Sequence, residues 1–84
     1  MPAILLTSRS LAMLRAVAAG RADLGAGSEP DLRVDGLPCC DQPAAHRLFH
    51  DGLVRPAGPA RPGHWTPAEL TAAGELALGL PAAA

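Results

Sequence analysis

The sequence predicts a small α+β fold, with about three helices and one β-hairpin in a single domain over residues 1–84. Two observations place the helices: apolar side chains recur at helical spacing in three short stretches, and capping residues and glycines bracket them. A third places the hairpin. Leu53-Val54-Arg55 and His64-Trp65-Thr66 flank a segment that Pro56, Gly58, Pro59, Pro62 and Gly63 close to any helix. A chain of 84 residues holds one hydrophobic core and no second lobe.

The first helix follows Thr7 or Ser8 as N-cap and ends at Gly20. Leu11, Leu14, Val17 and Ala18 share its apolar face, with Met13 beside Val17. Residues 28–38 admit two readings. Glu29-Pro30-Asp31 suits the first turn of a short helix, whereas Leu32 and Val34 alternate with Arg33 and Asp35 ahead of an Asp35-Gly36 turn, as in a strand.

Asp41 starts the next helix, Pro43 is tolerated in its first turn and Gly52 stops it. At 100° per residue Ala45, Leu48 and Phe49 fall inward, and Pro43, His46, Arg47 and His50 outward. The hairpin spans about residues 53–66, with Arg61 near its tip and Trp65 expected as an inward anchor. The last helix has two possible starts. Thr66-Pro67-Ala68-Glu69 reads as a capping box, and Thr71 offers a second cap. Leu70, Ala73, Leu76, Ala77 and Leu80 then form its buried stripe, and residues 81–84 fray.

Composition narrows the function classes. Gly, Ala, Arg and Pro dominate and every basic residue is Arg, the mark of a GC-rich genome such as an actinobacterium's. The apolar fraction of 49% includes 18 alanines, so large core side chains are few and a dimer partner is expected. No run approaches a membrane span, and Ile4-Leu5-Leu6 is too short for a secretory core, so a cytoplasmic protein is expected. Adjacent Cys39 and Cys40 cannot staple a long loop, which fits a reducing compartment.

The run Ala45-His46-Arg47-Leu48-Phe49-His50-Asp51-Gly52-Leu53-Val54-Arg55 resembles the end of a recognition helix passing through a "GLV-basic" turn into a wing. Leu70-Thr71-Ala72-Ala73-Gly74 is similar to the "LT-x-x-G" that follows the second wing strand in MarR-like and PadR-like regulators. The order and spacing of these pieces resemble a minimal winged helix-turn-helix domain. That resemblance implies a DNA-binding transcriptional regulator on double-stranded DNA. Gln42, His46, Arg47 and His50 would face the major groove, and Arg55, Arg61 and His64 would approach phosphate or minor groove.

Charge supports this modestly. Between Gln42 and Pro67 three arginines oppose one aspartate, and all three histidines lie there, in a chain of net charge −1. The alternative is a protein-interaction module on the same fold, and the first and last helices are the expected dimer or docking surfaces. Cys39 and Cys40 with His46 and His50 offer metal donors, yet the usual C-x₂-C spacing is absent and no metal or cofactor is expected. Asp23, Glu29, Asp31 and Asp35 read as a solvated acidic loop without EF-hand spacing. With no phosphate-binding loop and little room for a substrate pocket, no enzyme activity is expected.

Overall fold

The structure, a computed structural model, describes residues 6–79. It is a compact α+β domain of three helices and a five-stranded antiparallel sheet. The chain runs α1 (Ser8–Ala18), β1 (Ala22–Leu24), β2 (Leu32–Val34), β3 (Leu37–Pro38), α2 (Gln42–His50), β4 (Val54–Pro56), β5 (Thr66–Leu70), α3 (Ala72–Ala77). The strand order is β3-β2-β1-β5-β4, so the last strand in sequence is inserted between β1 and β4.

Thr7 caps α1, its hydroxyl accepting the Ser10 N–H at 3.0 Å. The buried arc of α1 is Ser10, Met13, Leu14, Ala16 and Val17. Ala18, expected on that arc, is exposed, and Leu11 is only half-buried. Gly20 adopts φ +76°, which an L side chain rarely does, and turns the chain into β1.

Residues 28–38 take the strand reading, and no helix starts at Glu29-Pro30-Asp31. Leu32 is 1% exposed and pairs with Leu24, while Ala22 pairs with Val34, so alternate residues enter the core. Asp35 and Gly36 have φ +54° and +80°, the paired left-handed conformation that suits a two-residue hairpin turn. Pro30 is fully buried, which fixes the connection leading into β2.

α2 forms within the expected limits. Asp41 Oδ1 accepts the Ala44 N–H at 3.1 Å, and Ala45 and Leu48 are buried with Phe49 packed at the core's margin. Gly52, at φ +73°, delivers the chain to Leu53 and Val54, both buried.

The return strand lies later than His64-Trp65-Thr66. β5 pairs Thr66 and Pro67 with β1 and Ala68 to Leu70 with β4. Thr66-Pro67-Ala68-Glu69 is therefore a strand and caps no helix. A central strand bonds two neighbours, which outweighs a local capping box. Trp65 is not an inward anchor: it is 38% exposed, and the Arg33 guanidinium lies 4.7 Å from its ring centroid.

α3 begins at the second cap, with Thr71 Oγ1 accepting the Gly74 N–H at 3.1 Å. It is only six residues long. The expected buried stripe does not form, since Ala73 is exposed and Leu76 is 65% exposed. Gly74 is buried instead, against the Leu53 carbonyl, with Ala77 and Leu78 packed at the edge of the core. Leu80, the tail 81–84, Ile4 and Leu5 lie outside the described residues.

All helices cover one face of the sheet. Met13, Leu14, Val17, Ala45 and Leu48 meet Ala22, Leu24, Leu32, Val54 and Ala68 in a single core. The other face carries cross-strand ion pairs, Arg33 to Asp23 at 2.8 Å and Arg55 to Glu69 at 2.8 Å. No helix among the described residues is long and apolar enough to cross a membrane.

Candidate functional site

The outward face of α2 is open, as the sequence spacing predicts, but the connection between β1 and β2 lies along it. Glu29, Pro43, His46, Arg47, His50 and Asp51 line a shallow groove of about 450 Å³. His46 Nε2 is 2.7 Å from Asp31 Oδ1, and His50 Nε2 is 3.4 Å from Glu29 Oε1. The His46 side chain is 25% exposed and that of His50 53% exposed, so the first contact is the better shielded of the two.

Gln42 does not face outward. Its Oε1 accepts the Leu32 N–H at 2.9 Å, and its Nε2 donates to the carbonyls of Leu32 at 2.9 Å and Cys39 at 3.0 Å. The side chain thus serves as a pseudo-strand partner for β2 and fixes the first turn of α2 against the sheet. That use withdraws it from the set of side chains able to read a groove.

Arg55 is also placed elsewhere. It stands opposite Glu69 in the β4–β5 register and binds that carboxylate through both Nε and Nη2, at 2.9 and 2.8 Å. This pair is on the sheet face away from α2, because Val54 and Ala68 on the same strands are turned inward. Arg61 and His64 are exposed on the 57–65 connection, and the His64 N–H donates to the Arg61 carbonyl at 3.0 Å.

The structure gathers four of the seven expected residues round one surface. His64 and Trp65 share a second depression with Gly25, Glu29 and Asp31, so the 57–65 connection meets the groove along α2 at Glu29. His46, Arg47, His50 and His64 belong to this surface, and Arg61 projects from the same connection as His64. Among the described residues Arg15, Arg47 and Arg61 form no ion pair, unlike Arg9, Arg21, Arg33 and Arg55.

Glu29 and Asp31 were missed by sequence reasoning as site residues. Nothing in their local spacing tells that the β1–β2 connection turns back onto α2; only the strand pairing does. The four acids expected as a solvated cluster are instead distributed to partners, with Asp23 on Arg33, Asp35 on Arg21, Asp31 on His46 and Glu29 on His50. The Arg21 guanidinium bonded to Asp35 holds that carboxyl below the usual aspartate range.

The surface is electrostatically mixed. Arg47 shares it with three carboxylates, Glu29, Asp31 and Asp51. The four candidate metal donors are not brought together. Cys39 and Cys40 line a cleft beside α1, whereas His46 and His50 border the groove with Glu29. Among the described residues no three His, Cys, Asp or Glu side chains are grouped to hold a metal ion. At the expected dimer surfaces Leu76 is exposed on α3, and Arg15, Ala18, Ala19 and Leu78 line a depression between α1 and the end of α3. No family model, curated relative or solved structure matches the chain.

Proposed function

We propose that the chain is a small DNA-binding regulator, a winged helix-turn-helix variant in which the β2–β3 ribbon stands where the first helix of the helix-turn-helix is expected. The reading is supported by the frame: α2 with Arg47 exposed on its outer face, followed by the β4–β5 ribbon, whose inner strand also pairs with β1. The observation that carries it is the pair Arg47 and Arg61. They are exposed and free of ion pairs among the described residues, as Arg15 on α1 also is, and of these three they are the ones at the places the resemblance assigns to DNA contact. Such a regulator works in the cytoplasm, as a homodimer that doubles these contacts through α1 and α3.

Two arginines give a modest electrostatic footprint. Two phosphates neutralised per protomer correspond to a slope of about −1.8 in log K against log salt, or roughly −3.6 for a dimer. Fluorescence anisotropy on a labelled duplex from low to physiological salt measures it. Arg47→Ala with Arg61→Ala abolishes binding and leaves far-UV circular dichroism unchanged, while Arg55→Ala, already spent on Glu69, leaves the slope unaltered. Unchanged binding by the double variant would sink the proposal. A second reading, a protein-interaction module, is favoured by Glu29, Asp31 and Asp51 on the same surface. Absence of any duplex binding at low salt selects it.

A further inference from the structure

Cys39 and Cys40 link β3 to Asp41, the N-cap of α2, and both are free thiols. Cys39 is half-buried and Cys40 exposed, yet both line one cleft of about 370 Å³ between α1 and the β2–β3 ribbon. Met13 and Val34 give the cleft an apolar floor, and Arg9, Arg15 and Arg21 edge it. The pair is held in place by its backbone. The Cys39 N–H donates to the Leu32 carbonyl at 3.1 Å, and the Cys39 carbonyl accepts from Gln42 Nε2 at 3.0 Å.

Three chemical facts limit what such a pair can bind. A disulfide between neighbouring residues is strained, so the pair persists as a dithiol. Burial, and after it the neighbouring Cys40, pushes the Cys39 thiol up, which keeps it protonated and a poor nucleophile toward peroxide. Of the three arginines at the cleft, Arg9 is paired with Asp41 at 3.2 Å and Arg21 with Asp35 at 2.8 Å, while Arg15 forms no ion pair among the described residues. Two soft donors select a soft, thiophilic centre. Among the described residues they have no third His, Cys, Asp or Glu grouped with them, which fails the four donors zinc requires.

We propose that Cys39 and Cys40 form a dithiol site for monosubstituted trivalent arsenicals. An arsenic atom already bonded to one carbon needs two further bonds, the number this cleft supplies, and the apolar floor receives its organic substituent. The reaction is a condensation without redox change. Two As–S bonds form, two As–OH bonds break, and each thiol proton leaves with a hydroxide as water. The site is separate from the surface proposed to meet DNA and does not depend on that reading.

Phenylarsine oxide tests it, with intact-mass spectrometry and thermal unfolding as readouts. The expected result is one adduct per chain that survives excess monothiol, is removed by a 1,2-dithiol and raises the unfolding midpoint, since a ligand of the folded cleft stabilises it. Cys40→Ser, at an exposed position that leaves folding intact, loses the monothiol-resistant adduct; Cys39→Ser does the same. An adduct that monothiol reverses, that persists in Cys40→Ser, that zinc displaces, or that leaves the midpoint unmoved overturns the proposal.

Discussion

Gly74→Ala probes how α3 is fastened to the sheet. In an unconstrained helix this change stabilises by about 1 kcal/mol, because Ala orders the backbone at lower entropic cost. Gly74 is constrained. A Cβ there would overlap the Leu53 carbonyl oxygen, and would lie 3.1 Å from the Leu53 carbonyl carbon and 3.3 Å from Leu70 Cδ2. Backbone cannot give way as a side-chain tip can, so α3 has to move outward. That movement breaks the Thr71 N–H bond to the Leu53 carbonyl at 3.1 Å and the Thr71 hydroxyl bond to the Gly52 carbonyl at 2.5 Å. Two such bonds contribute about 2 kcal/mol, and partial re-exposure of Ala77 and Leu78 costs about 1 kcal/mol more. Against the helix gain, the net loss is about 2 kcal/mol, or a fall of roughly 8–16 °C in Tm for a domain of this size. Thermal denaturation followed by circular dichroism measures it, with Ala73→Gly on the exposed side as the control that loses about 1 kcal/mol by propensity alone. A Gly74→Ala protein that melts at or above the wild-type temperature refutes the close approach.

Two further outcomes follow from the same geometry. Gln42→Ala leaves the Leu32 N–H and carbonyl without their side-chain partner in a half-buried place, a loss of about 1–3 kcal/mol that urea denaturation reads; an unchanged midpoint rejects the bracket. Asp35→Asn removes the pairing with Arg21 and retains a residue that tolerates positive φ. Because the folded carboxyl is held below its unfolded value, the pairing stabilises above the ordinary aspartate pKa of about 3.9 and fades as pH falls through the lower folded value. The stability gap between wild type and Asp35→Asn is therefore constant near neutrality and closes in strong acid; urea midpoints measured across that range check it, and a gap that widens on acidification contradicts the assignment.

The parts of the fold that local sequence specified well are those whose signals are local. α2 carries its cap, its early proline and its glycine stop within a dozen residues, and the Asp35-Gly36 turn carries its own geometry. β5 was misread because Thr66-Pro67-Ala68-Glu69 is a genuine capping pattern, while the competing hydrogen bonds come from β1, far upstream, and from β4. Trp65 lies outside because the return strand begins one residue after it, and Leu76 because α3 is too short to lay a stripe on the core. At the candidate site, the outward placement of His46, Arg47 and His50 came from helical periodicity alone. The loss of Gln42 to β2 and of Arg55 to Glu69, and the arrival of Glu29 and Asp31 on α2, depend on strand register, which no stretch of sequence shorter than the whole sheet encodes. The "LT-x-x-G" run gains a physical reason: its threonine caps α3 and its glycine lets that helix touch the Leu53 backbone.

The insertion of β5 between β1 and β4 has a consequence for how the chain matures on the ribosome. Synthesis completes the β1–β2–β3 ribbon early, and until Thr66–Leu70 emerges the far edge of β1 has no neighbour. That bare edge is only three residues long and bears the charged Asp23 at its middle, both features that discourage pairing with a stray strand from another nascent chain. The seam between β5 and β1 is the pairing of greatest sequence separation in the sheet, so the largest cost of loop closure falls there.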